Sequence, residues 1–308
     1  MNTAIITGGN RGLGFECART LAKMHDWRLI IACRNPQAAE AAIEALRRQT
    51  GNAMIEAMQL NLASLESVNN FAKKVRAATL PPIHALICNA GIQVISATQY
   101  TQDGFEITFG VNHLGHYLLV NRLLDCMDRA GRIIFVSSGT HDPAQKSGMP
   151  VPEFTNARLL AFPTNGEKEK TSTTGRRRYT TSKLANIYTS YELTRRLNER
   201  GLGGITVNAF DPGLMPGTGL ARDYNPLARF AWKFVLPIMT IFSPGINRVE
   251  DSGADLAYLA TAPELSGVSG KYFMGRKMVQ SSSESYNREK ALELWETSAE
   301  LVGLANPI

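Results

Sequence analysis

Apolar residues along this chain change period repeatedly. Short uninterrupted runs, TAIIT (3–7), RLIIAC (28–33), AMIEAMQL (53–60), IHALIC (83–88), GRIIFVS (131–137), GITVNAF (204–210) and KYFM (271–274), alternate with longer segments. In the longer segments, 12–24, 36–49, 65–77, 106–127 and 179–199, apolar side chains recur every three or four positions. The first pattern predicts buried strands and the second amphipathic helices. Pro36 opens one helix where proline is tolerated, and Gly51 and Gly201 follow helix ends as a C-cap would. Such alternation predicts the α/β class, with a doubly wound parallel sheet of about seven strands and helices on both faces. Two segments interrupt it, 139–178, rich in Pro, Gly, Thr and Lys, and 211–250, rich in Pro and aromatics. Both follow strands at the edge where open α/β sheets bind ligands, so both are read as substrate-loop insertions.

The 308 residues are enough for a sizeable core, and no composition shift or linker divides them. A net charge of +6 is small for this length and is not gathered into a tail, so no nucleic-acid partner is expected. Cys17, Cys33, Cys88 and Cys126 form no C-x-x-C pair and read as core thiols in a reducing cytoplasm. A strand beginning at residue 3 leaves no room for a cleaved signal, and the longest apolar stretch, 230–242, carries Lys233 and Pro237 and is too short to span a bilayer. A cytoplasmic protein is expected. No metal site is read: His113 and His116 lie three apart on a predicted helix without a carboxylate or cysteine at ligand spacing. Together with His141 they are taken as packing or surface residues.

The first strand runs into TGGNRGLG (7–14). A strand, a glycine turn and a helix start present bare amide groups and a positive helix end to a phosphate. Gly8, Gly12 and Gly14 permit the tight turn and the close approach of a pyrophosphate. Arg11 lies in this turn and Arg34 ends the second strand, where an NAD site normally carries an acidic residue for the ribose 2′-hydroxyl. Two guanidinium groups suit a 2′-phosphate, so the expected cofactor is NADPH/NADP+. Farther on, Tyr179 and Lys183 in YTTSK lie four apart on one helix face. A phenol with an unperturbed pKa of about 10 becomes a workable proton donor when a cation stands beside it.

The G-x-x-x-G-x-G turn, CNAG (88–91), Asn112 in VNHLGH, the strand ending in Ser137 and Ser138, Y-x-x-x-K and DPG (211–213) together resemble the short-chain dehydrogenase/reductase superfamily over nearly the whole length. The resemblance implies a single Rossmann-type domain over 1–308. It implies cofactor contacts by Gly8, Asn10, Arg11, Gly12, Leu13 and Gly14 in the turn, and by Arg34. Asn61 and Leu62 would lie near the adenine, Asn61 standing where the family usually has an aspartate. Asn89, Ala90, Gly91, Tyr179, Lys183, Pro212, Gly213 and Thr218 complete the implied cofactor site. Ser138, Tyr179, Lys183 and Asn112 are implied as the catalytic group, with Ser137 structural.

The long stretch between Ser138 and Tyr179, with FGVNHLGHYLL, resembles the branch of retinol dehydrogenases and light-dependent protochlorophyllide reductases, and EKALELWETSAELVGLA (289–305) resembles the tail of the latter. Those reductases carry a cysteine two positions after the lysine, where this chain has Ala185, and generally lack the serine kept here as Ser138. The expected activity is therefore hydride transfer to the carbonyl of a lipophilic aldehyde or ketone, with Tyr179 as proton donor. The alternatives are light-dependent protochlorophyllide reduction and a non-catalytic NADP(H)-binding regulator. The apolar residues of 225–242 read as a lid over a lipophilic small molecule, a peripheral membrane contact, or core packing. Arg176, Arg177 and Arg178 read as a solvated basic loop, with contact to a substrate carboxylate or a further lowering of the Tyr179 pKa as the sharper option. The resemblance also implies a homo-oligomer paired through 101–127 and 179–199.

Overall fold

In the computed structural model, residues 1–164, 171–216 and 247–308 are described. The first half alternates β1 (Asn2–Thr7), α1 (Gly12–Ala22), β2 (Trp27–Cys33), α2 (Pro36–Thr50), β3 (Ile55–Gln59), α3 (Leu65–Ala77) and β4 (Ile83–Cys88). The helix predicted over 106–127 is composite: α4 (Ile107–Phe109), a π-turn (Gly110–Leu114), α5 (Gly115–Leu123) and a 3-10 turn (Leu124–Cys126). There follow β5 (Met127–Val136), α6 (Ala157–Ala161), α7 (Thr171–Glu199), β6 (Thr206–Asp211), α8 (Val249–Thr261), β7 (Lys271–Met274), β8 (Lys277–Val279) and α9 (Arg288–Leu301).

The strands form one sheet in the order β3-β2-β1-β4-β5-β6-β7-β8. All neighbours run parallel except β7 and β8. The antiparallel β8 was not among the predicted strands; its three residues are all exposed and show no buried apolar run. Alternation along each strand sends successive side chains to opposite faces. Ile5, Ile30, Leu86, Ile133 and Val207 join the core under α3, α5, α7 and α9. Ala4, Ile6, Leu29, Ile31, Ile87 and Val136 join the core under α1 and α8. Because both faces are covered, the strands read as continuous apolar runs.

Local chemistry sets the helix starts. Asn35 and Ser64 accept backbone amides of α2 and α3, and Gly51 closes α2 at φ +73°. Helix α1 has no side-chain cap: Arg11 occupies that position in extended conformation. Its first amides therefore face the carboxyl edge of the sheet without a side-chain acceptor.

One expectation about the loops is corrected. Helix α7 begins at Thr171, so Arg176, Arg177 and Arg178 lie on a helix, half-buried, and not in a solvated loop. The glycine before them explains the packing: a Cβ on Gly175 would stand 2.2 Å from the carbonyl oxygen of Val94 and 2.7 Å from Cα of Ile95. Only a residue without a side chain lets α7 approach that backbone so closely. Thr218 and the apolar segment 225–242 lie outside the described residues. Among those described, no helix is long and apolar enough to cross a membrane. Part of the surface named for pairing is covered by α9, through Tyr117 of α5 and Arg196 of α7 against Trp295 and through His113 of the π-turn against Ser298.

Candidate active site

The order β2-β1-β4-β5 reverses direction between β1 and β4, and a crevice outside the carboxyl ends of these strands is the expected ligand position. The glycine turn lies there. Gly8 (φ +66°) and Gly12 (φ +55°) adopt left-handed backbone conformations. A Cβ on Gly14 would stand 2.5 Å from Nδ2 of Asn89 and 2.8 Å from the carbonyl oxygen of Gly8, so glycine is required for α1 to pass this close to β4. Asn89 Nδ2 donates to the carbonyl of Thr7 at 2.7 Å. Thr7 Oγ1 in turn accepts the backbone amides of Asn89 and Ala90, both at 2.9 Å. Thus the first and fourth βα turns are tied together beneath the uncapped end of α1. Arg11 and Arg34 are exposed. The Arg11 charge reaches Cys33, the residue before Arg34, whose thiol burial nonetheless pushes up. Arg34 directly follows β2, so the Arg11 charge acts at the strand end from which Arg34 leaves. Asn61 is partly engaged in structure, its Oδ1 accepting the amide of Ala63 at 3.2 Å. Leu62 is buried, and its carbonyl oxygen would be 2.6 Å from a Cβ on Gly115.

Across the crevice, α7 carries Tyr179 and Lys183. Both are buried. Lys183 Nζ donates to the carbonyl of Val136 at 3.0 Å and stands 5.5 Å from the centre of the Tyr179 ring. Burial pushes the Lys183 ammonium down to about 8, with the Asp211 carboxylate pulling the other way. Asn112, fully buried in the π-turn, accepts the amide of Ile92 at 2.8 Å and donates to the carbonyl of Ile92 at 2.9 Å and to Ser182 Oγ at 3.0 Å. Ser182 Oγ donates to the carbonyl of Tyr179 at 2.7 Å. A π-turn places a side chain at a wider helical offset than a regular helix, and here it directs Asn112 at α7. Ser137 Oγ donates to the carbonyl of Lys183 at 2.8 Å, a structural contact as expected. Ser138 follows, half-buried, with its Oγ accepting the amide of Thr140 at 3.3 Å. Gly91 lies against the same group: a Cβ there would stand 3.5 Å from both Asn112 Oδ1 and Lys183 Nζ.

Several polar residues at this site were not predicted. His141 is fully buried, its Nδ1 2.7 Å from the carbonyl of Ser138 and its Nε2 accepting the amide of Ser282 at 3.0 Å. A carbonyl can only accept, so Nδ1 carries the proton and the imidazole is neutral. Asp211 accepts Tyr272 Oη at 3.0 Å and the amide of Gly213 at 2.9 Å, and burial pushes its carboxyl up. Pro212, next in that turn, accepts Ser252 Oγ and Asn247 Nδ2 at 2.8 Å. His113 and His116 are likewise fully buried and hydrogen-bonded, so none of the three histidines is a surface residue. Among the described residues no cluster could hold a metal ion. The arginines before Tyr179 pair within the chain: Arg177 with Glu153 at 3.4 Å, and Arg178 with Glu106 at 4.0 Å and Thr98 Oγ1 at 2.8 Å.

This sheet order, phosphate-type turn and Tyr-Lys pair define a nucleotide-dependent oxidoreductase fold. The family model for short chain dehydrogenase matches residues 2–149. The chain is 36% identical to the WW domain-containing oxidoreductase of Gallus gallus, over 97% of this chain and 67% of that protein. It is 35% identical to the polyprenol dehydrogenase of Danio rerio, over 98% and 86%, and 35% identical to protochlorophyllide reductase B, chloroplastic, of Hordeum vulgare, over 98% and 79%. A solved structure of a Mycobacterium paratuberculosis protein matches with a TM-score of 0.71 at 28% identity, covering 100% of this chain and 96% of that one. The chain belongs to the short-chain dehydrogenase/reductase superfamily. It is an NAD(P)-dependent oxidoreductase of that family, acting on small molecules.

Proposed function

We propose that this chain is an NADPH-dependent reductase of lipophilic aldehydes or ketones, with Tyr179 as proton donor. The observation that carries the reading is the Lys183 ammonium, buried and anchored on Val136 one helical turn from Tyr179. The crevice fits a dinucleotide: α1 offers uncapped amides, and a Cβ at Gly14 would collide with Asn89 and Gly8. Gly8, Asn10, Gly12, Leu13 and Gly14 would hold the pyrophosphate side, Arg11 and Arg34 the 2′-phosphate, and Asn61 and Leu62 the adenine. Asn89, Ala90, Gly91, Lys183, Pro212, Gly213 and Thr218 would hold the nicotinamide side. When bound, the nicotinamide supplies the hydride.

The rest falls to side chains of the chain. Ser138 hydrogen-bonds the substrate carbonyl oxygen and so polarises it. Tyr179 protonates that oxygen as negative charge develops on it, and the adjacent Lys183 ammonium stabilises the phenolate left behind. Asn112 orders this group through Ser182 and Ile92, and Lys183 and Asn112 lead to its reprotonation. The 35% identity to a polyprenol dehydrogenase favours an isoprenoid-like, lipophilic substrate.

A second reading, light-dependent protochlorophyllide reduction, draws on the 35% identity to the Hordeum vulgare enzyme. Ala185 and Ser138 speak for the dark reaction. NADPH oxidation by the purified protein decides between them, tried in darkness with lipophilic aldehydes and ketones, then with protochlorophyllide in darkness and under light. Dark carbonyl turnover that is lost in Tyr179→Phe is the expected result. Consumption only of protochlorophyllide under illumination would overturn it. Binding of NADPH with no turnover of either substrate would favour the non-catalytic regulator.

A further inference from the structure

His116 stands at the start of α5, fully buried, with both ring nitrogens engaged. Nδ1 is 3.1 Å from the carbonyl oxygen of Asn112, and Nε2 is 2.9 Å from Thr7 Oγ1. The Asn112 carbonyl can only accept, so Nδ1 carries a proton. Thr7 Oγ1 already accepts two amides, those of Asn89 and Ala90, which uses both lone pairs. Its single hydrogen has two acceptors in reach, the Ile87 carbonyl at 3.3 Å and His116 Nε2 at 2.9 Å. Directing it to Ile87 would leave the Nε2 lone pair facing an oxygen with no proton to share, so the hydrogen goes to Nε2. An imidazolium would point a proton at a saturated oxygen. The site therefore accepts one species only, the neutral Nδ1–H tautomer, in agreement with burial and the Lys183 charge holding His116 down to about 4.

One side chain thus joins two elements. On the Nε2 side it locks the hydroxyl that gathers the Asn89-Ala90 turn and the end of β1, next to the glycine turn. On the Nδ1 side it holds the main chain of Asn112, whose side chain reaches α7 through Ser182.

We propose that His116 is a positioning residue that couples the cofactor-binding turns to the Asn112 relay, its two ring nitrogens serving separate ends. The inference rests on the roles given above to Asn89, Ala90 and Asn112, but cofactor binding tests half of it without turnover.

The purified full chain is compared with His116→Gln, His116→Asn and His116→Phe. NADPH affinity is measured by fluorescence titration without substrate, and turnover in darkness. The glutamine amide reaches toward Thr7 and keeps that end, whereas the shorter asparagine amide keeps the end at Asn112. His116→Gln is expected to bind NADPH within about threefold of wild type while kcat falls about tenfold, and His116→Asn to show the reverse, each reflecting one lost buried hydrogen bond. His116→Phe loses both. The Thr7→Val, His116→Phe double variant is expected to bind NADPH no more weakly than Thr7→Val alone, because both act on one contact. Equal losses in both quantities for Gln and Asn, or additive losses in the double variant, would overturn the proposal. Imidazole 15N shifts of the wild type give a check that needs no variant to fold: a protonated Nε2 at neutral pH refutes it. If no carbonyl substrate is turned over, the function proposed above fails, while NADPH affinity and the 15N shifts still judge His116.

Discussion

Lys183 Nζ stands 5.5 Å from the centre of the Tyr179 ring, one turn along α7, with the Val136 carbonyl as its hydrogen-bond acceptor. The ammonium has left water entirely for this position, and that burial brings its pKa down to about 8, with the Asp211 carboxylate opposing. A cation with that pKa loses its proton within an accessible range. The expected outcome is a kcat/KM that falls as pH rises through about 8. Lys183→Met and Tyr179→Phe should each lose roughly 10²- to 10⁴-fold in turnover, the usual scale of a removed general acid. A pH-rate profile that stays flat to pH 10 would remove Lys183 from the mechanism.

Arg34 directly follows β2, the Arg11 charge acts at that strand end, and no acidic residue closes the strand. Charge-assisted pairing to a 2′-phosphate predicts that Arg34→Ala and Arg11→Ala each raise KM for NADPH by about tenfold and leave KM for NADH nearly unchanged. Arg34→Asp should turn the preference toward NADH. Initial rates with both cofactors check this, and equal losses with the two would refer the arginines to structure alone.

The contact at Gly175 leads to a prediction about geometry at a distance. A Cβ there meets backbone atoms of Val94 and Ile95, which cannot rotate away. Gly175→Ala is expected to push α7 outward one turn before Tyr179, lowering stability by about 1–3 kcal/mol and turnover with it. Ser172→Ala, an exposed position on the same helix, should change neither. Thermal melting and NADPH oxidation measure the two effects.

His113 and His116 are held by burial to about 3 and 4, well below their ordinary 6.5. Between those values the unfolded chain takes up protons that the folded chain refuses. Stability from this source is present above pH 6.5 and drains away as pH falls toward 4, by at most about 1.4 kcal/mol per pH unit for each histidine. Glu106 and Asp211, whose carboxyls burial raises, slope the opposite way, so the informative quantity is a difference between proteins. His113→Phe should flatten the wild-type slope between pH 6.5 and 5 in urea denaturation. An unchanged slope would mean that the imidazole takes up its proton in the folded state.

Much of the site could be read from short stretches. The glycine spacing implied the turn, Tyr179 and Lys183 at four positions apart implied one helix face, and Ser137 and Ser138 were placed at a strand end. His116 and His141 were missed because their partners are remote: Thr7 lies 109 positions from His116, and Ser282 lies 141 from His141. A histidine four positions after Asn112 on a helix was the one local sign. The arginines 176–178 were misplaced for a different reason. Charge density suggested a loop, whereas Gly175 lets α7 pack against the backbone of Val94 and Ile95, and Glu153 and Glu106 lie near enough to pair with the charges.

The alternation of strands and helices, the parallel sheet, the glycine turn and the Tyr-Lys pair were all legible along the chain. Each depends on apolar period or on spacing within one element, and backbone hydrogen bonding translates those directly into geometry. Which polar groups leave water is set by the packing of the whole fold. Burial makes Lys183 titrate near 8, makes His116 and His141 neutral hydrogen-bonding links, and brings Asp211 within electrostatic reach of Lys183. Desolvation depends on every element packed around a group, and no local stretch of sequence carries that sum.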